Sequence, residues 1–150
     1  MNNKDTKNIL KRIIISLVIV AFAVFLINFF SYKNNIFRMV RGNTDLLNHS
    51  VYSGLYDEAY KIRGVKDISE YTTTNGNLLV DYFCYGFGLV PSSAYYGFYY
   101  SGDGKPAGFQ GVDYELMKEG NGWTRSEKDG DNWYYTEQIL DNWYYFKAGF

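Results

Sequence analysis

The run IIISLVIVAFAVFLINFF, residues 13–30, decides how the rest of the chain is read. It holds 18 residues and no charge; 14 of them are Ile, Leu, Val or Phe, and only Ser16 and Asn28 are plainly polar. As a helix it spans roughly 27 Å, close to the hydrocarbon thickness of a bilayer. Each large apolar residue favours insertion by about 0.3–0.6 kcal/mol. A soluble core helix would need a polar face, and this run has none. A cleaved signal peptide would share the basic start of Lys4, Lys7, Lys11 and Arg12. Its apolar run is shorter, roughly 7–15 residues, and a small-residue cleavage site follows it. Here bulky Phe29, Phe30 and Tyr32 stand at that place instead. The run therefore predicts an uncleaved single transmembrane helix over residues 13–32.

Orientation follows from the basic residues. Four precede the run, and Lys33, Arg38 and Arg41 follow it at greater distance. The bias places residues 1–12 in the cytoplasm as a basic tail, a stalk at 33–43, and an extracytoplasmic domain at 44–150. The tail carries a net charge of +3, which suits anionic lipid headgroups, and the chain from Lys33 onward carries −4. A mildly acidic domain argues against nucleic acid as partner. The sole cysteine, Cys84, forms no internal disulfide and lies far from the anchor, which excludes a lipid anchor there.

After the anchor the pattern reads first as a helix. Leu47, Val51, Leu55, Ala59 and Ile62 share one face of residues 45–63, Gly42-Asn43-Thr44-Asp45 offers cap residues, and Gly64 stops the run. The opposite face carries Asp45, His49, Tyr56 and Tyr60.

Strand-like periods then take over. Residues 68–74 are β-branched, Asn75-Gly76 signals a hairpin, and residues 77–87 return as a strand that is apolar on both faces. Asp81 is the odd residue in that strand, because a lone buried charge is expensive. Pro91 closes it, and further strands are expected at 92–101, 112–118, 123–127, 133–140 and 143–150. The fold class is α+β: an N-terminal single transmembrane helix, then one helix packed on an antiparallel meander sheet of six to seven strands.

Aromatic residues make up 20% of the chain, and Asp-Asn-Trp-Tyr-Tyr occurs twice, at 131–135 and 141–145. Two hairpins explain it, with each Asp-Asn in a turn and each Trp-Tyr-Tyr opening a strand. Gly122-Trp123, the polar turn 124–132 and Trp133-Tyr134-Tyr135 resemble the choline- and glucan-binding wall repeats, and Asn142-Trp143-Tyr144-Tyr145 echoes them. The resemblance implies cation–π capture of choline, or stacking on sugars, by Trp123, Trp133, Tyr134, Trp143 and Tyr144. It covers about 30 residues at half that family's spacing. The chain as a whole resembles uncharacterised small membrane-anchored proteins of Gram-positive bacteria, which implies topology and no activity.

No nucleophile elbow, phosphate loop, cofactor motif or metal signature is present. Asp129-Gly130-Asp131 lacks the twelfth-position Glu of a calcium loop, since Leu140 stands there. The sequence thus points to a membrane-anchored binding domain for a wall component or another envelope protein, with an immunity or accessory role within that class. The alternative is a small envelope hydrolase that pairs Glu115 or Glu119 with Asp113 or Glu137 as acid and base.

Overall fold

The computed structural model describes residues 3–89 and 92–150, the side chains of 3–10, 28–30, 89 and 92 excepted. The chain divides into two compact units, Met1–Asn35 and Ile36–Phe150.

The first unit is dominated by α1 (Asn3–Phe30), along which every side chain from Lys11 to Ile27 is exposed. The helix stops at Phe30, and Ser31 interrupts it before α2 (Tyr32–Gly42). Among the described residues no single helix is long and apolar enough to cross a membrane. Lys11–Ile27 and Tyr32–Gly42 meet that requirement only together, as a bent pair. The single span expected over residues 13–32 is thus not supported as one element, because the helix breaks inside it.

The second unit is one antiparallel sheet of seven strands, in the order β1-β2-β3-β7-β6-β5-β4. The strands are β1 (Asp67–Thr72), β2 (Leu78–Leu89), β3 (Ser92–Ser101), β4 (Met117–Glu119), β5 (Gly122–Ser126), β6 (Trp133–Leu140) and β7 (Trp143–Gly149). The α+β class and the upper strand count hold. The order is not one meander but two, joined where β3 pairs with β7. The reason lies in β7, which is buried along almost its whole length and so demands a central place. The chain consequently leaves β3 at mid-sheet and starts β4 at the far edge. The connection, residues 102–116, crosses one face of the sheet. The strand expected at 112–118 is mostly this connection, and only Met117–Glu119 pairs. Pro91, expected to close the second strand, lies outside the described residues.

The other face of the sheet is covered by helices. Val80, Tyr82, Cys84, Phe98, Tyr100, Trp143 and Tyr145 pack there against Ile36 and Val40 of α2 and Leu47 and Val51 of α3 (Thr44–Ser53). Residues 33–43, expected as a stalk, therefore contribute core side chains. The helix expected over 45–63 is two helices, α3 and α4 (Asp57–Tyr60). Gly54 sits at φ 68° after α3 and stops it, which leaves Leu55 exposed. Asn43 and Thr44 do start a helix, α3, as expected, but their side chains do not cap it: they donate back to Met39 O at 2.8 Å and Val40 O at 2.9 Å, at the end of α2. Tyr56 packs edge-on to Tyr82, and the Tyr60 hydroxyl meets the backbone of Ile68 on edge strand β1. That hydroxyl satisfies strand groups which would otherwise invite another chain. A bulge between Phe83 and Tyr85 shifts β2, so Tyr85 joins the helix-covered face with Cys84.

Candidate functional site

The uncovered polar ends of tyrosines organise the face opposite the helices. Leu79, Tyr99, Tyr134, Tyr144, Phe146 and Ala148 form its floor, and Ala107, Phe109, Tyr114 and Leu116 of the connection lie on them. A loop laid on an apolar surface has backbone groups to satisfy. Tyrosine hydroxyls do this. Tyr144 donates to Gly104 O at 2.6 Å, Tyr134 to Ala107 O at 3.1 Å, and Tyr99 accepts from Ala107 N at 2.9 Å. Tyr114 reaches back within the loop to accept from Phe109 N at 2.8 Å. Gly108 is required by this fit, because a Cβ there would stand 2.2 Å from Val112 O.

Where the connection passes the β1–β2 end of the sheet it leaves a cavity of about 410 Å³. That is the size of a small-molecule site. Its polar side is built by β1 and β2: Asp67 and Ser69 from the first strand and Asp81 from the second, with Ser69 directly opposite Asp81. Its aromatic walls are Phe83, Tyr95 and Phe146 from the sheet and Phe109 from the loop. Gly97 makes room for the Phe146 ring of this wall. A Cβ there would stand 2.3 Å from Tyr82 O and 2.7 Å from the Phe146 ring. Among the described residues no Lys, Arg or His lines the cavity.

Asp81 is the chemical centre of this space. It is only 9% exposed, and the backbone N–H of Gln110 stands close enough to its carboxylate to favour the ionised form. Gln110 adopts φ 54° and ψ 32°, a left-handed conformation that few non-glycine residues take. Strain of this kind, about 1 kcal/mol or more, persists where surrounding contacts over-determine it. Burial pushes the Asp81 carboxyl up to about 7, and the Gln110 N–H opposes only part of that. A carboxyl poised near neutrality beside an aromatic cavity has the properties of a recognition group or of an acid–base group.

The aromatic residues of the wall-repeat resemblance are spread over both faces of the sheet. Trp143 is fully buried under the helices, and its Nε1 donates to Asn48 Oδ1 of α3 at 2.9 Å. Tyr134 and Tyr144 are buried on the opposite face, holding the loop. Trp123 lies on that face with the Lys118 ammonium 3.7 Å from its ring centroid, and Lys147 stands 4.7 Å from the Trp133 ring. The chain's own cations thus occupy the two less buried indoles. Trp133 and Tyr134 do share a smaller cavity of about 180 Å³ with Arg125 and Glu127.

Of the carboxylates considered as an acid–base pair, Glu119 and Glu137 stand in one register row across Gly122. Tyr135 Oη donates to Glu137 Oε2 at 2.6 Å, and Asp113 accepts from the Thr74 hydroxyl at 2.9 Å. Glu115 is exposed before β4. Among the described residues no group of three or more His, Cys, Asp or Glu is placed to hold a metal.

No family model, curated protein or solved structure matches the chain. The site therefore rests on its geometry. One of its signals was visible in the sequence, the acidic Asp81 within an apolar strand. Gln110 and Phe109 carry no pattern that separates them from any glycine-rich loop.

Proposed function

We propose that this chain is an anchored binding protein. In this reading α1 holds the molecule to a membrane with residues 1–12 in the cytoplasm, and the sheet unit outside takes a small ligand in the Asp81 cavity. A wall component or other solute of the cell exterior is the ligand class. The anchor is supported by the apolar run of 13–30 and by the exposure of its side chains from Ile13 to Ile27, which only an apolar surrounding would cover favourably. The charge asymmetry around it supports the orientation.

The observation that carries the binding reading is Asp81. A carboxylate is buried at a cost, left without a basic partner in the cavity lining, and turned to an aromatic space of ligand size. A stability role alone would be met better by an apolar residue. Anionic ligands such as phosphates are disfavoured, because Asp67 and Asp81 repel them and nothing basic lines the wall.

Full-length protein, solubilised from membranes, is incubated with purified wall fragments. A Ser69→Phe variant fills the cavity beside Asp81 while keeping the carboxylate itself. Retention of the wild type and its loss in the variant support the reading, and equal retention of both refutes the cavity as the site. Release of the protein from membranes by alkaline extraction refutes the anchor.

A further inference from the structure

We infer that the cavity receives its ligand through a protonated amine seated against the Asp81 carboxylate, with the ligand's apolar body between the rings of Phe83, Phe109 and Phe146. This rests on the cavity being the binding site and names the chemistry it selects.

The first ground is charge. An ionised carboxylate accepts at about four positions, and Gln110 N–H is the one backbone donor near them. What neutralises a buried charge of this kind is either a proton or a cation brought by the ligand. The second ground is the wall. Aromatic faces attract cations by about 0.5–2 kcal/mol, more where water is excluded. The fold already uses this attraction, setting Lys118 on Trp123, Lys147 on Trp133 and Arg125 at 4.1 Å on Tyr114. The third ground is hydrogen-bond type. Asp81, its cross-strand neighbour Ser69 and Asp67 at the strand start present acceptor oxygens to the space. A cation bearing N–H groups satisfies them, whereas a fully alkylated ammonium offers no donor.

A consequence follows for pH. The groups around Asp81 are Asp67 and Tyr71 on β1, Lys66 just before it with Nζ 5.8 Å from the Phe83 ring, and Tyr95 on β3. Tyr114 of the loop and Tyr134 of β6 also feel it, and both phenols are pushed up by burial. Burial moves the titration of Asp81 up to about 7. Amine binding requires its ionised form, so binding at pH 6 expels about one proton, and at pH 8.5 almost none.

Calorimetry on the solubilised full-length chain tests this with three probes of one shape: 2-phenylethylamine, 2-phenylethanol and phenylacetate. At pH 8 the amine is expected to bind at least about tenfold tighter than the alcohol, and the acid not at all. Its affinity falls about tenfold between pH 8 and pH 6, with proton release seen as a dependence of the heat on buffer ionisation. Asp81→Asn, which keeps the shape of the side chain, removes both the preference and the pH dependence. Equal binding of amine and alcohol, or a preference that survives Asp81→Asn, overturns the amine inference and leaves the cavity as a site for neutral ligands. If none of the three binds, the amine inference falls. The wall-retention experiment with Ser69→Phe then judges the cavity separately.

Discussion

Gln110, left-handed at φ 54°, lines the same cavity as Asp81 and sets its backbone N–H near the buried carboxylate, favouring the ionised form. The loop that crosses the sheet is thereby brought up to the one acidic side chain inside the second strand. Two costs meet at this contact, a strained backbone and a desolvated charge, and each is held in place by surrounding aromatic packing.

The first expectation concerns stability and pH. Asp81 titrates near 7 when folded and near 3.8 when free. The folded state therefore binds its proton more tightly. Its contribution to stability is intact below about pH 4, falls as pH rises towards 7, and is lost above 7, by about 4 kcal/mol at most. Asp81→Asn escapes this loss. Denaturation midpoints of the two proteins should be close at pH 4, with the variant clearly more stable at pH 8. Parallel curves over that range would mean that Asp81 is solvated.

Gly97 offers a sharper structural test. Gly97→Ala places a methyl 2.3 Å from Tyr82 O and 2.7 Å from the Phe146 ring, and neither the strand nor the packed ring yields easily. A loss of about 3 kcal/mol by urea denaturation is expected. The same substitution at Gly76, where nothing lies within 4 Å but φ is 80°, should cost only about 1 kcal/mol from backbone strain.

Trp143 and Trp133 separate packing from recognition. Trp143→Phe removes the bond to Asn48 and part of a fully buried ring, and should destabilise by about 2–3 kcal/mol. Trp133→Phe keeps a ring beneath Lys147 and should cost less than about 1 kcal/mol. Comparable losses at both positions in the same denaturation assay would contradict the burial difference.

Cys84 reports on the core. Its thiol is buried, and burial pushes its titration up to about 12, with Lys66 opposing weakly. It should stay unmodified by a thiol reagent at pH 8 until denaturant is added, then react at the rate of a free thiol. Prompt reaction in native buffer would show that the helix-covered face opens.

The sequence carried much of this architecture. The Asn75-Gly76 turn and the strand at 77–87, apolar on both faces, marked an interior strand, and 92–101, 133–140 and 143–150 read as further strands. The strand order was hidden, because a loop's path over a sheet leaves no periodicity. Residues 102–111 read as punctuation and 112–116 as part of a strand, although together they lie across one face of the sheet. Gly54 hid its effect as well, since a glycine inside an apolar helical pattern stops the helix only if it turns left-handed. The wall-repeat resemblance named Trp-Tyr-Tyr segments whose alternation sends neighbouring rings to opposite faces, so Trp143 and Tyr144 share no surface. Asp81 was legible as an anomaly, but its partner was not, because a backbone N–H belongs to every residue type except proline.

The most direct measurement is the ¹³C titration of the Asp81 carboxyl by NMR in the solubilised full-length protein. A midpoint near 7, moving down when 2-phenylethylamine is added, is the expected result. A midpoint near 4 would mean that the carboxylate is hydrated or already paired, and the cavity would lose its claim to be the binding site.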